Sequence, residues 1–206
     1  MKRTHWESKM QKSRKTQQVP NIQQREFGFL FPSRDFHRDE KRVMRRHLAF
    51  PSNEALWEFI KRTKPLDCFL STAYYENPSV QKMDAKGWKG ADLYFYLDGG
   101  PDELTAVKGE AVVIRYVLKH DFDIDSQLIF SGSKGYHVVS MTDDDRVLTM
   151  KSGARRAIVD YLKEKYKCRF IDGPSSCDVH RLRRLPGTTN SKSGKVAYPI
   201  MEGGLL

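Results

Sequence analysis

The sequence predicts an α+β (mixed α/β) fold built around a sheet, and three observations carry that prediction. Short apolar runs of strand length recur along the chain. Segments with helical spacing and capping residues stand between them, and glycine or proline marks many of the junctions. With 39% hydrophobic and 11% aromatic residues in 206, there is enough apolar side chain for a packed core. Strands and helices that interleave in this way pack as layers around a sheet.

Taken in order, residues 1–24 are polar and basic, with little apolar periodicity, and read as a flexible arm. Residues 25–31 and 45–50 read as two strands, and Pro32-Ser33-Arg34-Asp35 between them signals a turn, hence a hairpin. Ser52-Asn53-Glu54 opens a helix that runs to about Thr63, with Leu56, Trp57 and Ile60 inward. A strand follows near residues 68–75, then a loop over 76–89, then a strand that ends at Asp98. Gly99-Gly100-Pro101 breaks that strand, and residues 102–120 have helical spacing at Ala111, Ile114, Val117 and Leu118. Leu128-Ile129-Phe130 and Tyr136-His137-Val138-Val139 are strands on either side of a glycine turn. Residues 153–166 form an amphipathic helix. We therefore expect a basic arm at 1–24, a core at 25–195 and a tail at 196–206 too short for another element.

Charge narrows the function classes. The formal net charge is +10, and the isoelectric point is near 9.5. Such an excess favours a polyanionic partner through long-range attraction and counterion release. No apolar run approaches a membrane span, and the N-terminus has no signal-peptide core, so no membrane partner and a cytoplasmic, intracellular setting are expected. Cys68, Cys168 and Cys177 are scattered and follow no metal-binding spacing; neither disulfides nor zinc is expected.

Three segments carry chemistry-bearing residues. In the first, Gly90-Ala91-Asp92-Leu93-Tyr94-Phe95-Tyr96-Leu97-Asp98, alternation puts Asp92, Tyr94, Tyr96 and Asp98 on one face. A carboxylate at a strand end can reach into a cleft and bind a hard divalent cation, though an isolated Asp before Gly-Gly more often caps a turn. The second segment is Phe130-Ser131-Gly132-Ser133-Lys134-Gly135-Tyr136-His137. Its glycines let backbone N–H groups approach an anion, and Lys134 adds a point charge suited to phosphate oxygens. The bland alternative is a glycine hairpin with a surface lysine. The third segment has Asp172 at a strand end, followed by His180, Arg181, Arg183 and Arg184. Arginines there suit phosphate contacts, or alternatively guard a sheet edge.

Read together, the segments resemble the small catalytic subunit of archaeal primase, in the archaeo-eukaryotic primase superfamily. The resemblance rests on Arg25-Glu26-Phe27, Arg46-His47-Leu48, Ala73-Tyr74-Tyr75-Glu76-Asn77-Pro78, Lys86-Gly87-Trp88-Lys89-Gly90-Ala91-Asp92-Leu93, Phe130-Ser131-Gly132 through His137, and Ile171-Asp172 through Leu185-Pro186-Gly187, in that order. It implies a two-part catalytic core with an RRM-like sheet flanked by helices. It also implies template-directed transfer of nucleotides from nucleoside triphosphates, assisted by Mg²⁺ or Mn²⁺. By motif, Asp98 and Asp172 are the catalytic metal ligands. Ser131, Ser133, Lys134 and His137 hold the triphosphate, and Arg46, Arg184 and Asn190 make further nucleotide contacts. Single-stranded DNA template and a large primase subunit are the implied partners.

The chain departs from that family in three places. Where the family has two aspartates one residue apart, this chain has Tyr96 and Asp98. A neutral phenol cannot replace a carboxylate as a Mg²⁺ ligand. Asp92, roughly 20 Å back along an extended strand, is too distant to substitute, which leaves Asp102 as the nearby acid. The family's cysteine-rich zinc knuckle is missing, and Asn190 stands where a histidine is common. Three functions fit: a reduced primase-polymerase, for which Mn²⁺ is the preferred ion; a primase-like nucleotide- and nucleic-acid-binding subunit with weakened catalysis; and an end-extending repair polymerase.

Overall fold

The computed structural model describes residues 18–33 and 42–201. The fold is mixed α/β, with two four-stranded antiparallel sheets and a two-stranded ladder in place of one sheet. Strands β1 (Phe27–Pro32), β2 (Arg42–Leu48), β3 (Asp67–Ser71) and β9 (Leu182–Arg184) form the first sheet, in the order β2-β1-β3-β9. Alternation sorts its two faces. Phe27, Phe29, Cys68 and Leu70 point to one side, where they pack with Leu56 of α1 (Asn53–Thr63), Phe50 and Leu185. Gly28, Phe69, Asp67, Leu182 and Arg184 occupy the other. Ser52 caps α1 as its motif predicts, its hydroxyl accepting from the amide of Ala55 at 3.3 Å.

Residues 18–24, expected to belong to a flexible arm, are instead held to this core. Val19 and Ile22 are buried in it, and the amide of Val19 donates to Asn53 Oδ1 at 2.8 Å. Two apolar side chains among glutamines are too sparse to show a period, yet they suffice to anchor one 3₁₀ turn at Ile22–Gln24. The rest of that arm, residues 1–17, and the expected turn residues Arg34 and Asp35 lie outside the described residues.

Strands β6 (Tyr94–Asp98), β7 (Ser126–Phe130), β8 (Gly135–Ser140) and β10 (Tyr198–Pro199) form the second sheet, in the order β10-β7-β8-β6. Phe95, Leu97, Leu128, Phe130 and Val138 of one face pack on α2 (Leu104–Phe122) and α4 (Ser152–Tyr166). The spacing of Val107, Ala111, Ile114 and Leu118 turns one stripe of α2 into that core. Two short helices, α3 (Asp145–Leu148) and α5 (Gly173–Cys177), complete the helical set. No helix among the described residues is long and apolar enough to cross a membrane.

Two expected strands are split. The run near 68–75 becomes β3 and β4 (Ala73–Tyr75), and the run into Asp98 becomes β5 (Trp88–Ala91) and β6. Asp92 lies at the second break. Its amide donates to Thr72 O, its carboxylate meets Arg25 at 2.9 Å, and Leu93 N donates to Ser140 Oγ, so the chain leaves the β4–β5 ladder and joins β8. Asp92 therefore does not share the face of Tyr94, Tyr96 and Asp98. The tail is also a correction: Tyr198 pairs with Phe130 and Pro199 with Ile129, forming β10. Proline is tolerated there because an edge strand can lack one donor.

Candidate nucleotide-binding site

Tyr96 and Asp98 are alternate residues of β6 and therefore share a face. The segment that ends at Asp172 runs antiparallel beside β6, through a bridge between Leu97 and Ile171 and a bond from Asp172 N to Tyr96 O at 2.9 Å. That register sets Asp172 opposite Tyr96 and makes Asp98 its diagonal neighbour. Tyr96 is thus the side chain adjacent to both acids, across from Asp172 and two residues before Asp98. Burial and then the charges of Asp98 and Asp172 raise the Tyr96 phenol above its ordinary pKa, so it stays neutral and protonated.

Both carboxylates already have partners. Asp98 Oδ2 is 2.9 Å from Lys134 Nζ, and Asp172 Oδ1 accepts the amide of Ser175 at 2.9 Å as the cap of α5. Among the described residues no cluster of three or more His, Cys, Asp or Glu is placed to hold a metal ion. Two aspartates with a neutral phenol in place of a third carboxylate, one of them paired with an ammonium, do not fit a two-metal centre, which needs carboxylate oxygens converging on each ion.

The glycine turn between β7 and β8 carries Lys134 to Asp98. Gly135 pairs with Asp98, Ser131 N donates to Gly135 O at 3.0 Å, and Gly99 N donates to Lys134 O at 3.4 Å. His137, two residues further, pairs with Tyr96, with ring centroids 5.4 Å apart. It is 2% exposed, and its Nδ1 has no hydrogen-bond partner among the described residues. Burial, and then the charges of Arg183, Arg184 and Arg181, press its pKa down to about 3. His137 is therefore a neutral imidazole at physiological pH, able to donate one hydrogen bond and carrying no charge.

A second turn, overlooked at the sequence level, backs the first. Ser193 Oγ donates to Gly132 O, Asn190 Nδ2 donates to Ser131 O at 3.5 Å, and Asn190 Oδ1 accepts the amide of Lys192 at 3.0 Å. Gly132 has φ +81°, and a Cβ there would lie 3.0 Å from Lys195 O, so only glycine lets the turns touch. Asn190 thus uses its side chain to join the turns. The overlooked signal was a second run of serine, lysine and glycine, Ser191-Lys192-Ser193-Gly194-Lys195, drawn from the same three residue types as Ser131-Gly132-Ser133-Lys134-Gly135.

Asp67, also overlooked, ties this second turn to the first sheet. It accepts the amide of Ser191 at 2.8 Å, its hydroxyl at 2.6 Å and Arg184 Nη1 at 2.5 Å. Burial raises its pKa, but the Ser191 and Arg184 bonds outweigh burial and hold it below the usual carboxylate value. Arg184, which also lies over the Phe69 ring, is thereby fixed in place.

Arg46 is on β2 beside a bulge. Two residues there oppose Gly28, and His47 takes φ +62°. Arg46 Nε is 2.9 Å from buried Glu26, which also binds Lys86 at 3.0 Å. Burial raises the Glu26 pKa, yet hydrogen bonds from Lys86 and Arg46 bring it below its ordinary value. Arg46, Met44, Phe69, His180, Arg181 and Leu182 line a cavity of about 340 Å³ together with Asp178. Arg181 makes no salt bridge among the described residues, whereas Arg183 is buried 3.8 Å from Asp92. A wider hollow of about 1580 Å³ reaches Arg25, Arg183 and Lys195 but is not lined by Asp98, Asp172 or Lys134.

Two sheets, a strand-end acid on each of two neighbouring segments and a glycine-lysine turn between strands define the class as a primase–polymerase core. Comparison with known proteins shows homology to one family. The DNA primase small-subunit profile matches residues 104–174. The chain is 35% identical over 198 residues to the DNA primase small subunit PriS of Methanothrix thermoacetophila, covering 85% of this chain and 47% of that one. It is 39% identical over 160 residues to that of Methanocella arvoryzae, covering 69% and 38%. A third, from Pyrobaculum arsenaticum, is 29% identical over 210 residues, covering 76% and 67%. The chain is homologous to the archaeal DNA primase small-subunit family. It spans about half or less of the length of the first two relatives. The fold matches the polymerase domain of Mycobacterium tuberculosis Ligase D in complex with DNA, with TM-score 0.62, 16% identity and coverage of 87% and 74%.

Proposed function

We propose that the chain is a primase-like module that binds nucleoside triphosphates and single-stranded nucleic acid, with weakened capacity for nucleotide transfer. One observation carries this reading: Tyr96, not a carboxylate, stands opposite Asp172 and on the same face as Asp98, and Asp98 is paired with Lys134. The binding parts are retained. Ser131, Ser133 and Lys134 form a turn suited to phosphate, Arg46 and Arg184 are anchored by Glu26 and Asp67, and the net charge of +10 draws in a polyanion. His137 adds a neutral donor beneath the turn, and Asn190 secures it. The relatives' name, a small subunit, suggests a large primase subunit as partner.

A second reading, a working template-directed transferase, is favoured by the survival of both aspartates on one face of the sheet. A labelled-nucleotide incorporation assay on single-stranded DNA, with Mg²⁺ or Mn²⁺, separates the two. We expect wild type to bind nucleotide and DNA with little product, and Tyr96→Asp to gain product. Robust wild-type synthesis, abolished in Asp172→Ala, would instead establish the transferase.

A further inference from the structure

The site departs from its family at the cation, and the departure has a chemical consequence. We propose that this chain takes the triphosphate as the free polyanion, with Lys134 standing where a two-metal site holds a divalent ion. The inference rests on the nucleotide-binding reading above.

The position of Lys134 is set by backbone. Asp98 pairs with Gly135, and a Cβ on Gly135 would collide with Leu97 O, so the turn lies directly on the end of β6. Lys134 follows from that register, and its ammonium reaches Asp98 at 2.9 Å. The lysine side chain is 57% exposed, and an ammonium has three donors, so those not given to Asp98 remain for phosphate oxygens.

A divalent ion at the same point must displace Lys134, take a phenol, neutral at pH 7, as neighbour and draw Asp172 from its cap on Ser175. Small hard cations give up water reluctantly and compensate that loss with carboxylate oxygens. Here the carboxylate of Asp98 is already neutralised by the chain's own cation. With its first aspartate replaced and its second paired, the site offers the ligand the remaining donors of Lys134 in place of a cation held by carboxylates. Arg181, which lacks a salt bridge among the described residues, adds a second basic side chain with Arg46 in the cavity that both line. Phosphate oxygens met by ammonium donors need no divalent ion to be held there, so the metal-free triphosphate is the form this site accepts.

The test measures binding, not turnover. A mant-labelled adenosine triphosphate is titrated by fluorescence anisotropy in EDTA and in saturating Mg²⁺, and Mn²⁺ binding to the protein alone is followed by electron paramagnetic resonance. Wild type is expected to bind the nucleotide at least as tightly in EDTA as in Mg²⁺ and to leave Mn²⁺ free. Lys134→Gln, at an exposed side chain, should weaken binding in EDTA by about tenfold or more, the effect of losing a charged hydrogen bond. Tyr96→Asp should acquire Mn²⁺ binding and make nucleotide affinity depend on the metal. Wild-type affinity that collapses in EDTA, or a Lys134→Gln protein that binds unchanged there, overturns the proposal while leaving nucleotide binding intact. Absence of binding under both conditions overturns the nucleotide-binding reading, and this inference with it.

Discussion

Asp67 and Ser191, 124 residues apart, share two hydrogen bonds, from the serine amide at 2.8 Å and from its hydroxyl at 2.6 Å. The same carboxylate takes Arg184, so one acid at the edge of the first sheet fixes both a turn and a guanidinium. Asp67→Asn keeps the shape and removes the charge. It should cost about 1–3 kcal/mol of stability and weaken nucleotide binding through the turn. Urea unfolding and the anisotropy titration together check this; unchanged stability would mean that the bonds are not formed in solution.

Stability should also respond to pH through His137. Its pKa is lowered to about 3 in the fold, against about 6.5 in the unfolded chain. Below pH 6.5 the unfolded state takes up a proton that the folded state refuses, so stability falls as pH falls, at up to about 1.4 kcal/mol per unit. Above 6.5 the contribution is fully present. Denaturant midpoints measured between pH 7.5 and 5, where most carboxylates stay ionised, should show this slope, and His137→Gln should flatten it.

The fold was legible where a period survives in the residues themselves. The apolar, aromatic-rich strand run at residues 27–31, the strand run at 136–139 and the Ser52 cap describe local geometry that tertiary contacts then preserve. The strand breaks near Thr72 and Asp92 were not legible, because nothing local marks them. Asp92 leaves its strand for Arg25, a partner 67 residues away. The candidate site was half legible for the same reason. Asp98, Lys134 and His137 lie in a recognisable run, but Asp67 and Ser191 become neighbours only when β3 meets the turn after β9. The meaning of Tyr96 also needed the register: only the bridge from Leu97 to Ile171 shows that the tyrosine faces Asp172.

A buried ion pair supports Arg46 from behind. Lys86 is fully buried, 3.0 Å from Glu26, and donates to Pro78 O at 2.5 Å. Lys86→Met leaves Glu26 with one fewer cation in a dry site, and removing one partner of such a pair costs about 3–5 kcal/mol. The double variant Lys86→Met with Glu26→Gln should recover part of that loss, because the uncompensated charge goes too. Chemical denaturation of the four proteins gives the coupling; strictly additive losses would show that the pair does not interact.

Two glycines make opposite predictions from the same substitution. At Gly135 a Cβ would run into Leu97 O, a backbone atom of the neighbouring strand that cannot turn aside. Gly135→Ala must therefore push β8 from β6 where Asp98 and Lys134 meet, and should lower both stability and nucleotide affinity. Gly109, on the exposed side of α2, has open space where a methyl group would stand, with no atom within 4 Å. Its backbone is helical, so alanine keeps the conformation and loses less freedom on folding. Gly109→Ala should stabilise by about 1 kcal/mol, raising the melting temperature by about 2–4 °C for a chain of this size. Thermal unfolding of both variants, with the nucleotide titration as a second readout, tests the register directly. If Gly135→Ala behaves like Gly109→Ala, the turn does not sit against β6 and the lysine is not delivered to Asp98.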